Sequence, residues 1–360
     1  MTTEKKGPFT PLEWTEFFET KRQITIPTAL DSTEITFTLY EINGIRRKRR
    51  SSNSSSGNSN SSSSGYESDS ESEKVKDKKD LPVILLHHGA GHCALSFAAT
   101  ARELHKLVGK RARILSYDVR GHGETTSKDQ LNLNVERLAM DVRNVIWTLF
   151  GGSQDGQDSF PETATRTTTV HETKLPKLFL VGHSMGGSVV TEVVHQGLVP
   201  NVVGFSVLEM VEANKSRAHV AIRQWCESRP TPCKTVEEAI QWAVDADEVR
   251  NVESARVSFP GMVVRDPDSS SYLWRNDLLR SEQHWSSWFD GLNTKFLKSK
   301  TPPRQMIVST SQLDNEMKAG YEQGIFQQLS FLEAGHAVQE DEPVEVAKAL
   351  IAFVGKDLGL

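Results

Sequence analysis

A serine with glycine two residues to either side, Gly182-His183-Ser184-Met185-Gly186, is the pattern of a hydroxyl nucleophile set on a sharp turn. The apolar run Lys177-Leu178-Phe179-Leu180-Val181 precedes it and predicts a strand. Gly187-Ser188-Val189-Val190-Thr191-Glu192-Val193-Val194 follows, with small and apolar residues at helical spacing. A turn that passes straight from strand to helix strains the serine backbone and crowds the positions two residues away, hence the glycines. It also lifts the hydroxyl clear of the sheet to a helix N-terminus. There the dipole and free N–H groups favour a developing oxyanion. The chemistry this predicts is nucleophilic catalysis through a covalent intermediate.

Such a serine needs a base, and with eleven histidines available, position decides. His336, in Glu333-Ala334-Gly335-His336-Ala337-Val338, falls between the last predicted strand and the last predicted helix. That is where the chain order serine, acid, histidine delivers the base. His183 lies inside the turn and reads as a packing residue. His122, in Asp118-Val119-Arg120-Gly121-His122-Gly123-Glu124-Thr125, reads as structural. An oxyanion hole would use the backbone N–H of Met185 and one from the loop His87-His88-Gly89-Ala90-Gly91-His92, with Ala90 the expected donor. That loop lacks the G-x-x-x-x-G-K pattern of a phosphate cradle. Two carboxylates compete for the acid: Glu209, ending the sixth predicted sheet strand, and Asp314, after the seventh. Either could orient the imidazole.

The elements that must position these groups follow from periodicity. Residues 22–43 read as two strands with a turn at 29–32. Strands at 81–87, 112–118, 202–209, 305–310 and 326–332 and helices at 95–107, 135–150 and 343–354 flank the serine turn. Strand and helix in alternation imply a mainly parallel sheet with helices on both faces. Two polar stretches interrupt it. Residues 46–80 open on Arg46-Arg47-Lys48-Arg49-Arg50, become almost wholly serine and asparagine, and end in mixed charge. They cannot bury enough apolar surface to offset the entropy of ordering and read as a disordered insertion. Residues 151–173 have the same character. The basic run is a candidate nuclear-import signal, and Ser68, Ser70 and Ser72 sit among carboxylates suited to acid-directed kinases. Residues 212–292 break the alternation with helical pattern and five of the seven tryptophans, and read as a helical cap inserted after the sixth sheet strand. The core is expected over 1–45 and 81–211, resuming at 293–360.

The totals fit this reading. At 360 residues the chain can bury a large core. A net charge of −5 gives no electrostatic case for nucleic acid. Three cysteines, Cys93, Cys226 and Cys233, are odd in number and lack metal spacing, so no metal site and a reducing compartment are expected. The N-terminus lacks the apolar core of a signal peptide, and no stretch has the length of a membrane span. A cytoplasmic or nuclear location is therefore expected, and the serine chemistry calls for no cofactor.

Several segments together resemble one family, the protein phosphatase methylesterases of the α/β-hydrolase superfamily. They are His88-Gly89-Ala90-Gly91-His92-Cys93-Ala94-Leu95-Ser96, Arg120-Gly121-His122-Gly123-Glu124-Thr125, the serine turn, and Gly335-His336-Ala337-Val338-Gln339-Glu340-Asp341. The most specific are Arg250-Asn251-Val252-Glu253-Ser254-Ala255-Arg256-Val257-Ser258 and Trp285-Ser286-Ser287-Trp288-Phe289-Asp290-Gly291-Leu292, which generic hydrolases lack. The likeness runs from about residue 81 to the C-terminus and is looser near 262–272. The resemblance implies an α/β-hydrolase fold and demethylation of the C-terminal leucine of the type 2A protein phosphatase catalytic subunit. It implies Ser184 as nucleophile and His336 as base. The family's acid, an aspartate after the sixth strand, matches Glu209 here, one methylene longer, so Glu209 is the expected acid and Asp314 the alternative. A general carboxylesterase or lipase acting on small esters, and a non-catalytic phosphatase-binding protein, are the competing readings.

Overall fold

The computed structural model describes residues 7–27, 34–43, 80–151, 175–210, 215–299, 303–309 and 313–360. The stretches read as insertions, 46–80 and 151–173, lie almost entirely outside these residues, as does the turn expected at 29–32.

β1 (Thr20–Pro27) and β2 (Glu34–Ile42) pair antiparallel, from Thr20 opposite Glu41 to Pro27 opposite Glu34. β3 (Val83–His87) is buried along its whole length, the pattern of a strand covered on both faces. A 3₁₀ turn over Ala94–Phe97 leads into α1 (Ala98–Val108), so the helix expected from residue 95 starts late. β4 (Arg113–Tyr117), the short β5 (Thr126–Ser127) and α2 (Val135–Phe150) follow, α2 capped by Asn134 accepting from the Glu136 N–H at 2.9 Å. Then come β6 (Leu178–His183), α3 (Met185–Gln196) and β7 (Val202–Leu208).

Before the sheet resumes, the chain passes through α4 (Lys215–Ser228), α5 (Val236–Asp245), α6 (Val252–Ser258), β8 (Val263–Arg265), β9 (Tyr272–Trp274), α7 (Glu282–Trp285) and α8 (Leu292–Lys298). The β8–β9 hairpin, with Val263 opposite Trp274, departs from the helical pattern expected there. Its strands are β-branched and aromatic, and the Asp266 side chain accepts from the Asp268 N–H at 3.0 Å to make the turn. β10 (Arg304–Val308), α9 (Asn315–Glu322), β11 (Gln327–Ser330), α10 (Val338–Asp341) and α11 (Pro343–Leu358) complete the fold.

The main sheet runs β1-β2-β4-β3-β6-β7-β10-β11, with β5 beside β2. From β4 to β11 every pairing is parallel, and β1 and β2 are antiparallel additions at one edge. One apolar core lies under α2, α3 and α8, with Leu138, Val189 and Phe296 among its residues. The other lies under α1 and α11, with Leu104, Val346 and Leu350. The carboxyl ends of the parallel strands all open to one edge, where α/β sheets bind ligands.

Candidate active site

Ser184 alone makes the turn between β6 and α3, with φ 51° and ψ −123°. That is a costly backbone for a residue with a Cβ, and such strain persists only where the surroundings over-determine it. Here the Ser184 N–H donates to the Leu208 carbonyl at 2.8 Å, and its own carbonyl accepts from the Gly187 N–H at 2.7 Å. The glycines answer to backbone. A Cβ on Gly182 would strike the Gly186 carbonyl oxygen, and one on Gly186 would strike that of His87.

His336 follows β11 and is exposed, with Nδ1 3.6 Å from Glu209 Oε2. Glu209 leaves β7 in a left-handed conformation, φ 52°, and its N–H donates to the Ile307 carbonyl at 2.9 Å. The Ser309 N–H closes on its Oε1. One oxygen is thus tied to the end of β10 while the other faces the imidazole. Asp314 is engaged elsewhere. Its Oδ1 caps α9 by accepting from the Met317 N–H at 2.9 Å, and its Oδ2 accepts from the Asn293 amide at 2.7 Å. His183 meets the base loop through Nε2, 2.9 Å from the His336 carbonyl oxygen.

Neutral histidines hold the loop before α1. The Gly91 N–H donates to His122 Nε2 at 2.8 Å, so that nitrogen carries no proton, and the protonated Nδ1 donates to the Arg120 carbonyl at 2.8 Å. His88 repeats the arrangement. Its Nε2 accepts from the Val119 N–H at 2.9 Å, and its Nδ1 donates to the Gly89 carbonyl at 2.8 Å. Burial lowers His122 to about 4 and pushes His88 well below its ordinary range. His122 is the structural residue its loop suggested. His88 was missed, although its place at the end of an apolar strand was the available signal. The Gly91 amide is thus taken, whereas Ala90 and Met185 are the residues whose amides are the expected oxyanion donors. Both residues line the cavity at Ser184. Gly89 passes close enough that a Cβ there would sit 3.1 Å from Ser184 Cβ.

That cavity holds about 470 Å³ and is lined in part by Ser184, His336 and Glu209. Its walls are mostly apolar and come from α4 (Ala218, Ile222, Trp225) and from Trp288 and Phe289. Sequence reasoning did not single out α4, His92 or Glu248 as cavity lining, since their approach depends on how the segment after β7 folds back. Arg229, behind Trp225, has its guanidinium 3.6 Å from that ring and 4.7 Å from Trp274. Burial lowers it to about 10. Among the described residues no helix is long and apolar enough to cross a membrane.

Residues 83–349 match the family model described as the alpha/beta hydrolase family. The chain is 36% identical over 285 residues to protein phosphatase methylesterase 1 of Aspergillus oryzae, an alignment covering 76% of this chain and 62% of that relative. The chain thus spans less than two thirds of that relative's length. It is 28% identical over 391 residues to the mouse protein of the same name, covering 97% of this chain and 86% of the mouse protein. Among solved structures, an E-2-(acetamidomethylene)succinate hydrolase superposes with a TM-score of 0.64 at 13% identity, covering 93% of this chain and all of that one. An esterase from Thermogutta terrifontis gives 0.56 at 16%, covering 93% and 98%. At such identities the structures speak to fold alone. The strand order, the strained serine between β6 and α3 and the match over 83–349 lead to one conclusion: the chain belongs to the alpha/beta hydrolase family.

Proposed function

We propose that this chain is a serine carboxylesterase that removes the methyl ester from the C-terminal leucine of a type 2A protein phosphatase catalytic subunit. The observation that carries the reading is the shared cavity. Ser184, His336 and Glu209 line it together with Trp288 and Phe289, which belong to the segment most particular to the methylesterase resemblance. The name of the relatives, protein phosphatase methylesterase, supports a methyl ester on a protein phosphatase as the substrate class.

Ser184 Oγ attacks the ester carbonyl carbon as its proton passes to His336. The N–H groups of Ala90 and Met185 stabilise the oxyanion. The C–OCH₃ bond breaks and methanol leaves with the proton from His336. Water, deprotonated by His336, then hydrolyses the acyl-enzyme to the leucine carboxylate. Glu209 orients the imidazole throughout. Its Oε2 stands 3.6 Å from Nδ1, within the looser range that catalytic hydrogen bonds show before substrate binds. The partner is then the phosphatase itself, and the place of action the cytoplasm, the nucleus or both.

The test is methanol release from carboxymethylated phosphatase. Ser184→Ala should reduce it by about 10³-fold or more, and a wild-type rate in that variant overturns the reading. Equal turnover of short acyl esters, without preference for the methylated phosphatase, would point to a general carboxylesterase. Failure of a fluorophosphonate to label Ser184 would point to a binding protein.

A further inference from the structure

A second histidine–carboxyl pair backs onto the cavity, and no step above uses it. His92 Nδ1 lies 3.4 Å from Glu340 Oε1, and neither atom has a hydrogen-bond partner among the described residues. Glu340 is completely buried on α10, and its Oε2 accepts from Ser258 Oγ at 2.6 Å. His92 is 8% exposed and lines the cavity beside Ser184. Its ring is clamped. It stacks on Trp225, centroids 5.9 Å apart and planes 13° apart, and meets His183 edge-on at 5.3 Å.

The protons of this pair follow from its surroundings. Burial holds Glu340 well above the usual carboxylate range, with the charge of Asp341 adding to it. Burial lowers His92 to about 3, helped by His336 and Arg229. Glu340 is completely buried, and among the described residues no lysine or arginine lies within ion-pair distance of it, so the neutral acid facing a neutral imidazole is the form this setting favours. Glu340 Oε2 already accepts from Ser258, so the carboxyl proton belongs on Oε1, aimed at His92 Nδ1. Nδ1 is then an acceptor and the ring proton sits on Nε2. In an imidazole the two nitrogens project in nearly opposite directions, so Nε2 is directed away from buried Glu340.

We propose that Glu340 fixes His92 in the Nε2–H tautomer so that His92 donates a hydrogen bond to a backbone carbonyl oxygen of the peptide bearing the ester. This rests on the esterase reading and deepens it. The amides of Ala90 and Met185 take the ester carbonyl oxygen, which leaves the preceding peptide carbonyl as the nearest neutral acceptor on such a substrate. A neutral donor in a mostly apolar cavity suits a neutral acceptor and selects a peptide ester over a simple alkyl ester. His92 is then a substrate-binding residue and Glu340 a positioning residue.

The test has two arms on the full chain. In long-range ¹⁵N–¹H spectra of histidine-labelled protein, with His92 assigned through His92→Phe, the wild type should show the neutral Nε2–H form of His92. Glu340→Gln, whose amide can donate to Nδ1 and accept from Ser258, should keep that form, and Glu340→Leu should lose it. In methanol release from carboxymethylated phosphatase, His92→Phe should raise KM about tenfold, the value of one neutral hydrogen bond, with kcat nearly unchanged. Glu340→Leu should do the same, and Glu340→Gln should recover most of the loss. Fluorophosphonate labelling of Ser184 in each variant reports an intact site, and His92→Phe with Glu340→Gln decides the matter if Glu340→Leu does not fold. An Nδ1–H tautomer in the wild type, or a His92→Phe variant with wild-type KM, overturns the inference. Failure of the esterase reading looks different: it appears in the wild type as no methanol release, before any substitution.

Discussion

A carboxylate that orients an imidazole must itself be held still. Glu209 is held twice, by the Ser309 N–H on Oε1 and by its own N–H on the Ile307 carbonyl, which leaves Oε2 toward His336. Glu209 itself takes a left-handed backbone, φ 52°. Asp314 shows the other use of an acidic residue at a strand's end, as a helix N-cap. The two substitutions should therefore separate cleanly. Glu209→Gln should lower kcat by about 10⁴, the cost of losing an orienting carboxylate. Asp314→Ala should leave turnover within a few-fold but lose about 1 kcal/mol of stability with its cap. Methanol release and urea unfolding read the two effects, and a collapse of turnover in Asp314→Ala alone would reverse the assignment.

At the scale of elements, the serine turn and the loop before α1 are built against each other's backbone. An added methyl at Gly186 meets the His87 carbonyl, which cannot swing aside as a side chain could. Gly186→Ala should thus lose fluorophosphonate labelling even where the chain still folds. The same loop makes the protein sensitive to acid. His87 and His122 are each lowered to about 4, and His92 to about 3, chiefly by burial. The unfolded chain takes up those protons first, near pH 6.5, so stability is full above that value and falls as pH drops toward about 4. Each of these histidines contributes on the order of 3 kcal/mol by the end of that range. Asp118, raised to about 6 by burial, works in the opposite direction over the same window, because its folded form binds the proton first. Glu340, Asp141 and Glu248, also raised by burial, act as Asp118 does. With His88 and His183 also held below their ordinary range, five buried histidines stand against four carboxyls, so urea midpoints should fall between pH 7 and about pH 4.5. An unchanged midpoint would mean that these rings are not buried and neutral.

At the scale of the whole molecule, the strand order says what the long polar stretch has to bridge. Ile42 at the end of β2 lies opposite Ile114, which lies opposite Ile84 in β3. Two ladder spacings separate the ends, about 10 Å. A turn of roughly five residues can span that distance, and closure entropy varies only slowly with the length of a connection. Replacing residues 46–80 with a short Gly/Ser turn should leave the melting temperature within a few degrees and Ser184 labelling intact. Nuclear accumulation should fall if the basic run acts as an import signal. A variant that misfolds or loses labelling would show that the stretch packs on the core.

Local rules were enough for a good part of this protein. The glycine spacing and apolar run place Ser184 on a strand-to-helix turn, because that geometry is decided within a few residues. The strand–helix alternation and the limits of α2 are legible for the same reason. Strand pattern alone did not separate Glu209 from Asp314, since both stand at strand ends, and the expectation of Glu209 rested on the resemblance. Only the order β7-β10-β11 and the path of the loop after β11 decide which one His336 reaches. The β8–β9 hairpin, the α4 wall and the meeting of His92 with Glu340 likewise depended on tertiary structure. Their partners are far apart along the chain, and hydrophobic period reports which face of an element is buried but not what it is buried against.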